Sequence, residues 1–109
     1  MKVLDEREAL ARVGGDMDLL REIADLFQQE CPQALENLRA AIERGDGPAA
    51  GREAHGLKGS ASNFGAVPVV KAAIRIEQLA REGRMVETQP EYKLLNQHVE
   101  TLIKELREL

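Results

Sequence analysis

Aromatic side chains are scarce in this 109-residue chain: two Phe, one Tyr and no Trp, or 3% in all. Strands draw on aromatic and β-branched residues, so the shortage argues against a sheet. Cysteine occurs once, at Cys31, which excludes an internal disulfide and fits a reducing, cytoplasmic setting. The apolar runs are only a few residues long, so nothing spans a bilayer, and no signal-peptide pattern opens the chain. Positive charge is in deficit, with 15 Lys and Arg against 19 Asp and Glu for a net charge of −4. Nucleic acid and anionic membrane are therefore poor partners. A Gly-rich phosphate loop is missing as well, so there is nothing to bind ATP.

Metal and hydrolase chemistry are equally short of residues. A di-iron helical bundle needs Glu-x-x-His pairs facing inward. This chain has only His55 and His98, and Glu53 stands two positions from His55. No metal site is expected. No Ser or Cys joins a histidine and an acid in a hydrolytic constellation. His98 lies beside an apolar stripe without any motif around it and reads as a solvated or edge histidine.

Leu, Ala, Glu and Arg dominate instead, at a length that suits one domain, residues 1–109, around a single core. Asp5 with Glu8 resembles a capping box and begins a short helix that Gly14-Gly15 ends. Asp16 is a good N-cap for the next helix. There Leu20, Ile23, Phe27, Cys31, Leu35, Leu38 and Ile42 keep helical phase across Pro32, which predicts one kinked helix or two nearly collinear ones. Cys31 is expected to be a small buried apolar residue. Gly45-Asp46-Gly47-Pro48 stops that helix and starts another, which runs to Gly65. Pro68 opens a further helix that Gly83 closes, residues 84–89 are expected to be a loop, and Pro90 is expected to begin the last helix. That helix carries Tyr92, Leu95, Val99, Leu102, Leu106 and Leu109. Short connections force antiparallel neighbours. The expected fold is all-α, an antiparallel up-down four-helix bundle with a short additional N-terminal helix.

The third of these segments carries the chemistry. Ala50, Ala54, Leu57, Ala61 and Phe64 form its core stripe, and Gly51, His55, Lys58, Gly59 and Ser62 follow one another on an adjacent face. Glycine inside a helix costs about 1 kcal/mol relative to alanine, and this helix holds Gly51, Gly56 and Gly59. Bare positions one turn before and after His55 let another molecule approach the ring. Lys58, three residues on, adds a flexible cation. An ordinary imidazole is mostly neutral at pH 7 and offers a nucleophilic nitrogen. Together these make a seat for a phosphoryl group.

His55-Gly56-Leu57-Lys58-Gly59, followed by small residues through Gly65-Ala66, resembles the histidine phosphotransfer (HPt) domains of multistep two-component signalling. The opening Gly14-Gly15-Asp16-Met17-Asp18-Leu19-Leu20 is similar to theirs too, and the likeness extends over nearly the whole chain. The resemblance implies the same helical bundle. It also implies a phosphoryl group carried on the ring nitrogen of His55 farther from the backbone, between aspartates of receiver domains. Lys58 would stabilise that group electrostatically. Ser62 would hydrogen-bond or simply stay small enough to admit the partner. In some members, side chains near the positions of Glu77 and Arg81 approach the histidine, so Glu77 would accept from the near ring nitrogen. The plain alternative is a surface ion pair between Glu77 and Arg81. By the same resemblance the chain is a carrier and not an autonomous kinase, and it has no cofactor of its own, because Mg²⁺ belongs to the receiver. Its partners would be response-regulator receivers and a hybrid histidine kinase, whose C-terminal module such domains sometimes form. A self-contained bundle with an exposed histidine points to a monomer, docking through the His55 face and apolar residues near Met17 and Leu20. The alternative function is a bundle of this kind that binds receivers without transferring anything.

Overall fold

The computed structural model describes residues 2–109. Each early helix begins where an aspartate satisfies a free backbone N–H. In α1 (Glu6–Arg12) the Asp5 carboxylate accepts from the Glu8 N–H at 3.0 Å. Glu8 then pairs with Arg12 instead of returning to the cap. In α2 (Met17–Glu43) Asp16 accepts from the Leu19 N–H at 3.1 Å, and in α3 (Gly47–Ser62) Asp46 accepts from the Ala49 N–H at 3.0 Å. The chain then forms α4 (Val67–Arg81), with Pro68 in its first turn, and α5 (Met85–Leu106). The long second segment is one uninterrupted α-helix that includes Pro32, which is exposed.

The start of the last helix differs from the expectation. Residues 85–89 are helical, and Pro90 lies inside α5. Two side chains organise that first turn without a cap. Arg84 bridges to Glu87, and the buried Thr88 hydroxyl donates to the Met85 carbonyl. Pro90 deprives only the Val86 carbonyl of its partner, in a turn where Val86 is 78% exposed and water can take its place. Phe64, assigned to the helical stripe, stands just past the end of α3 and is nonetheless fully buried.

α2 packs on α3 and α5, and α4 packs on the same two helices, so α2 to α5 close a ring in chain order. Links of three or four residues reverse the direction each time, giving the antiparallel up-down four-helix bundle, with α1 added against α2. Every described helix is α, and none is long and apolar enough to cross a membrane. Leu20, Leu38, Leu57, Val69, Ile76, Leu95 and Leu102 fill the centre. Phe27 meets Phe64 edge to face, with centroids 5.3 Å apart. Cys31 is buried among them, and burial pushes its thiol up to about 11.

The residues before α1 close one end of the bundle. Val3 and Leu4 are buried, their N–H groups both donate to Glu105 Oε1 (2.9 and 2.8 Å), and the Asp5 N–H donates to the Phe64 carbonyl. Gly65 turns beneath them at φ +57°, where a Cβ would lie 2.8 Å from that of Asp5. The turn that ends α3 is thus fixed from outside, and with it the phase of the helix that holds His55.

Candidate functional site

α3 presents two faces because its stripe is strictly periodic. Ala50, Ala54, Leu57 and Ala61 are buried, and the next positions around the helix face outward. His55 stands in the middle of this ridge with 64% of its side chain exposed. The glycines around it have no packing reason to be glycine. Beyond its chain neighbours and the backbone of its own helix, a Cβ built at Gly51, Gly56 or Gly59 meets nothing within 4 Å, and at Gly51 and Gly59 that includes the His55 ring. The open flanks are therefore open to other molecules, and nothing within the fold requires them.

The ring is held from the neighbouring helix. His55 Nδ1 lies 3.1 Å from Glu77 Oε2 on α4. An ionised carboxylate only accepts, so Nδ1 carries the proton and donates it, leaving Nε2 as the solvent-facing nitrogen. Glu77 also gathers two cations. Lys58 Nζ is 3.5 Å from Oε1, and Arg81 Nη2 is 3.0 Å from Oε2. Only 13% of the Glu77 side chain is exposed. Burial by itself would raise its carboxyl, but the Lys58 ammonium, the His55 hydrogen bond and the Arg81 guanidinium outweigh burial and hold it below the ordinary carboxylate value.

The site residues read from the sequence thus come together around one carboxylate: His55, Lys58, Glu77 and Arg81, between Gly51 and Gly59. Glu77 and Arg81 do form an i,i+4 pair, but the same oxygen of Glu77 also receives the imidazole N–H. Ser62 stands slightly apart. Its hydroxyl donates to the Lys58 carbonyl at 2.8 Å, one turn back on its own helix, which leaves a small half-buried side chain at that end of the face. His98 is half-buried on α5, away from this group. Among the described residues no cluster of three or more His, Cys, Asp or Glu is arranged to hold a metal ion.

The apolar surface beside the site differs from the expectation. Leu20 is 1% exposed and belongs to the core, as its place in the α2 stripe requires, and Met17 is half-buried. The outward apolar side chains of α2 are Leu19, 41% exposed, and Leu26, 53% exposed. Leu26 borders a groove of about 360 Å³ between α2 and α3, with Ile23 and Phe27 in its wall and Gly56 on its α3 side. Glu30 and Glu53 give that groove an acidic edge. On the other flank of α3, Arg52 borders a separate hollow. Arg52 was not singled out from the sequence. Its spacing three residues before His55, matching Lys58 three residues after, was the available signal.

Comparison with known proteins gives a family and a fold. The Hpt domain family matches residues 22–108. The crystal structure of histidine-containing phosphotransfer protein B (HptB) from Pseudomonas aeruginosa PAO1 superimposes with a TM-score of 0.90 at 24% identity, covering 97% of this chain and 92% of that one. At that identity the likeness concerns the fold. The curated proteins include no significant match. With 22–108 matched in a chain of 109 residues, the chain belongs to the Hpt domain family of histidine phosphotransfer modules.

Proposed function

We propose that His55 is the phosphoryl carrier of this histidine phosphotransfer domain, taking the group from an aspartyl phosphate on one receiver and delivering it to an aspartate on another. The observation that carries this reading is the pairing of an exposed imidazole with a Glu77 carboxylate 3.1 Å from its inner nitrogen. The lone pair on Nε2 attacks phosphorus, the N–P bond forms as the acyl P–O bond breaks, and the aspartate leaves as its carboxylate. No proton moves. The ring, still protonated at Nδ1, becomes cationic, and Glu77 lies where that positive charge develops. Lys58 and Arg81, both held on the carboxylate that orients the ring, supply positive charge for the incoming phosphoryl oxygens.

The surrounding protein has little covalent work in such a transfer, which rests on in-line positioning and charge. The Mg²⁺ and acid cluster it requires belong to the receiver. The receiver's apolar face lies over the α2–α3 groove, against Leu19 and Leu26, with the bare backbone of Gly56 and Gly59 beneath it. Response-regulator receivers and a hybrid histidine kinase are the partners, the domain acts as a monomer and as a carrier without turnover of its own, and its compartment is the cytoplasm.

The test is phosphoryl transfer from a panel of phosphorylated receivers to the wild type and to His55→Gln. Acid-labile, alkali-stable label on the wild type alone supports the reading. Absence of label from every receiver, with binding retained, would replace it with a module that docks without transferring.

A further inference from the structure

α3 separates two depressions of opposite charge. The groove toward α2 is apolar with Glu30 and Glu53 at its edge. The hollow toward α4, about 550 Å³, has His55 at one side and Arg52 and Arg81 around it; the one carboxylate in its lining, Glu77, is already engaged by His55, Lys58 and Arg81. Its lining includes Gly47, Gly51 and Ala80, none of which reaches beyond a Cβ. At Gly47 this is forced, because a Cβ would stand 2.8 Å from the Ala80 carbonyl oxygen. At Gly51 it is not forced, since a Cβ there would meet nothing within 4 Å. The hollow is kept clear at a position where the fold has no need of it.

Its cations are unequally engaged. Arg81 is bound to Glu77 at 3.0 Å. Arg52 forms no ion pair with any described carboxylate. The acid that feels its field is Asp46, and that carboxylate already accepts from the Ala49 N–H and pairs with Arg44. An uncommitted guanidinium, in a protein of net charge −4, thus stands one helical turn from the nucleophile at the edge of the hollow. Guanidinium matches a carboxylate in a two-pronged geometry. The volume lies in the range of about 300–1,000 Å³ that holds whole small molecules, far more room than one phosphoryl group needs.

We infer that the α3–α4 hollow seats an acidic side chain of the docking receiver, with Arg52 as the specificity-determining contact, and that the change of sign across α3 fixes which way round the receiver sits. The inference rests on the carrier reading of His55. It requires of the receiver an acidic residue on the α4 side of its phosphorylated aspartate and apolar or basic residues on the α2 side. Rim charges act mainly on encounter and on salt dependence, so the effect belongs in KM and not in kcat.

The test compares wild type, Arg52→Lys, Arg52→Gln and Arg52→Glu as acceptors from a receiver that labels the wild type, over a range of salt. The expected result is a KM raised about threefold for Gln and about tenfold for Glu, with Lys, which keeps the charge but not the two-pronged fit, between wild type and Gln, with kcat and the lifetime of phosphohistidine unchanged and with the salt dependence flattened in Gln and Glu. Reversal of the matching acidic residue on the receiver restores Arg52→Glu. An unchanged KM in Arg52→Glu overturns the inference and leaves the carrier reading standing. A shortened phosphohistidine lifetime at unchanged KM also overturns it, by placing Arg52 on the phosphoryl group. A wild type that accepts no label overturns both.

Discussion

Replacing Gly51 and Gly59 by alanine separates what the fold wants from what its partner wants. Both lie inside α3, and at neither would a Cβ meet another atom within 4 Å. The added methyl therefore brings neither clash nor contact, and only helix propensity changes. That change favours alanine by about 0.5–1 kcal/mol at each site. For a domain of this size, thermal midpoints move by about 4 °C per kcal/mol, so each variant should melt roughly 2–4 °C higher. The two sites are eight residues apart, or about 12 Å along the helix, so the double variant should gain the sum. Phosphoryl transfer should move the other way. A methyl one turn from the ring stands where a docking receiver must come close, and a displacement of about 1 Å can slow transfer by as much as a hundredfold. Melting followed by circular dichroism, together with transfer kinetics on the same preparations, decides the matter. A lowered midpoint would mean that the flanks are not open, and a raised midpoint with undiminished transfer would mean that they are not open for the receiver.

Glu77→Ala should slow transfer by about tenfold to a hundredfold, the loss seen when a metal-bound histidine loses the group that orients it. Glu77→Gln keeps an oxygen for the Nδ1–H and should lose less; equal losses would show that charge alone is what Glu77 supplies. The same carboxylate predicts an acid limb of stability. Its folded pKa is depressed, so its contribution is complete above the ordinary carboxylate range and is lost as pH falls through the folded value. The limb should flatten in Glu77→Gln, as denaturant titrations across acidic pH would reveal. Cys31, with burial pushing its thiol up to about 11, should resist thiol reagents at mildly alkaline pH until the bundle is unfolded. Prompt labelling of the folded protein would contradict its place in the core.

Helices and their phase were legible because apolar spacing and aspartate caps are local signals. Asp5, Asp16 and Asp46 each act three residues ahead, within the window that a sequence reading spans. The start of α5 was not legible for the converse reason. Arg84 places no side-chain cap, so Pro90 was the only conspicuous marker, although the turn is organised by Glu87 and Thr88. At the site, His55 and Lys58 stand three positions apart in one motif, but Glu77 arrives from α4, 22 residues from His55. Its meeting with the ring depends on how two helices are rotated against each other, which periodicity constrains only loosely. The docking surface failed on a finer scale. Leu19 and Leu20 are adjacent in the sequence, yet about 100° around a helix separates water from core.

The partners α3 and α4 make the most extensive helix contact in the molecule, and much of what they bury is alanine: Ala49, Ala50, Ala54 and Ala61 on one, Ala72, Ala73 and Ala80 on the other. Alanine has no rotamers to hop between, so two packed helices whose buried faces are rich in it have few soft modes. Backbones packed through methyl groups act as a stiff rail, and the spacing between imidazole and carboxylate inherits that stiffness. A thermally agitated core of long side chains would let the two helices slide, and the ring would spend part of its time unaligned. On the carrier reading of His55, the alignment of the ring is then settled before a receiver arrives.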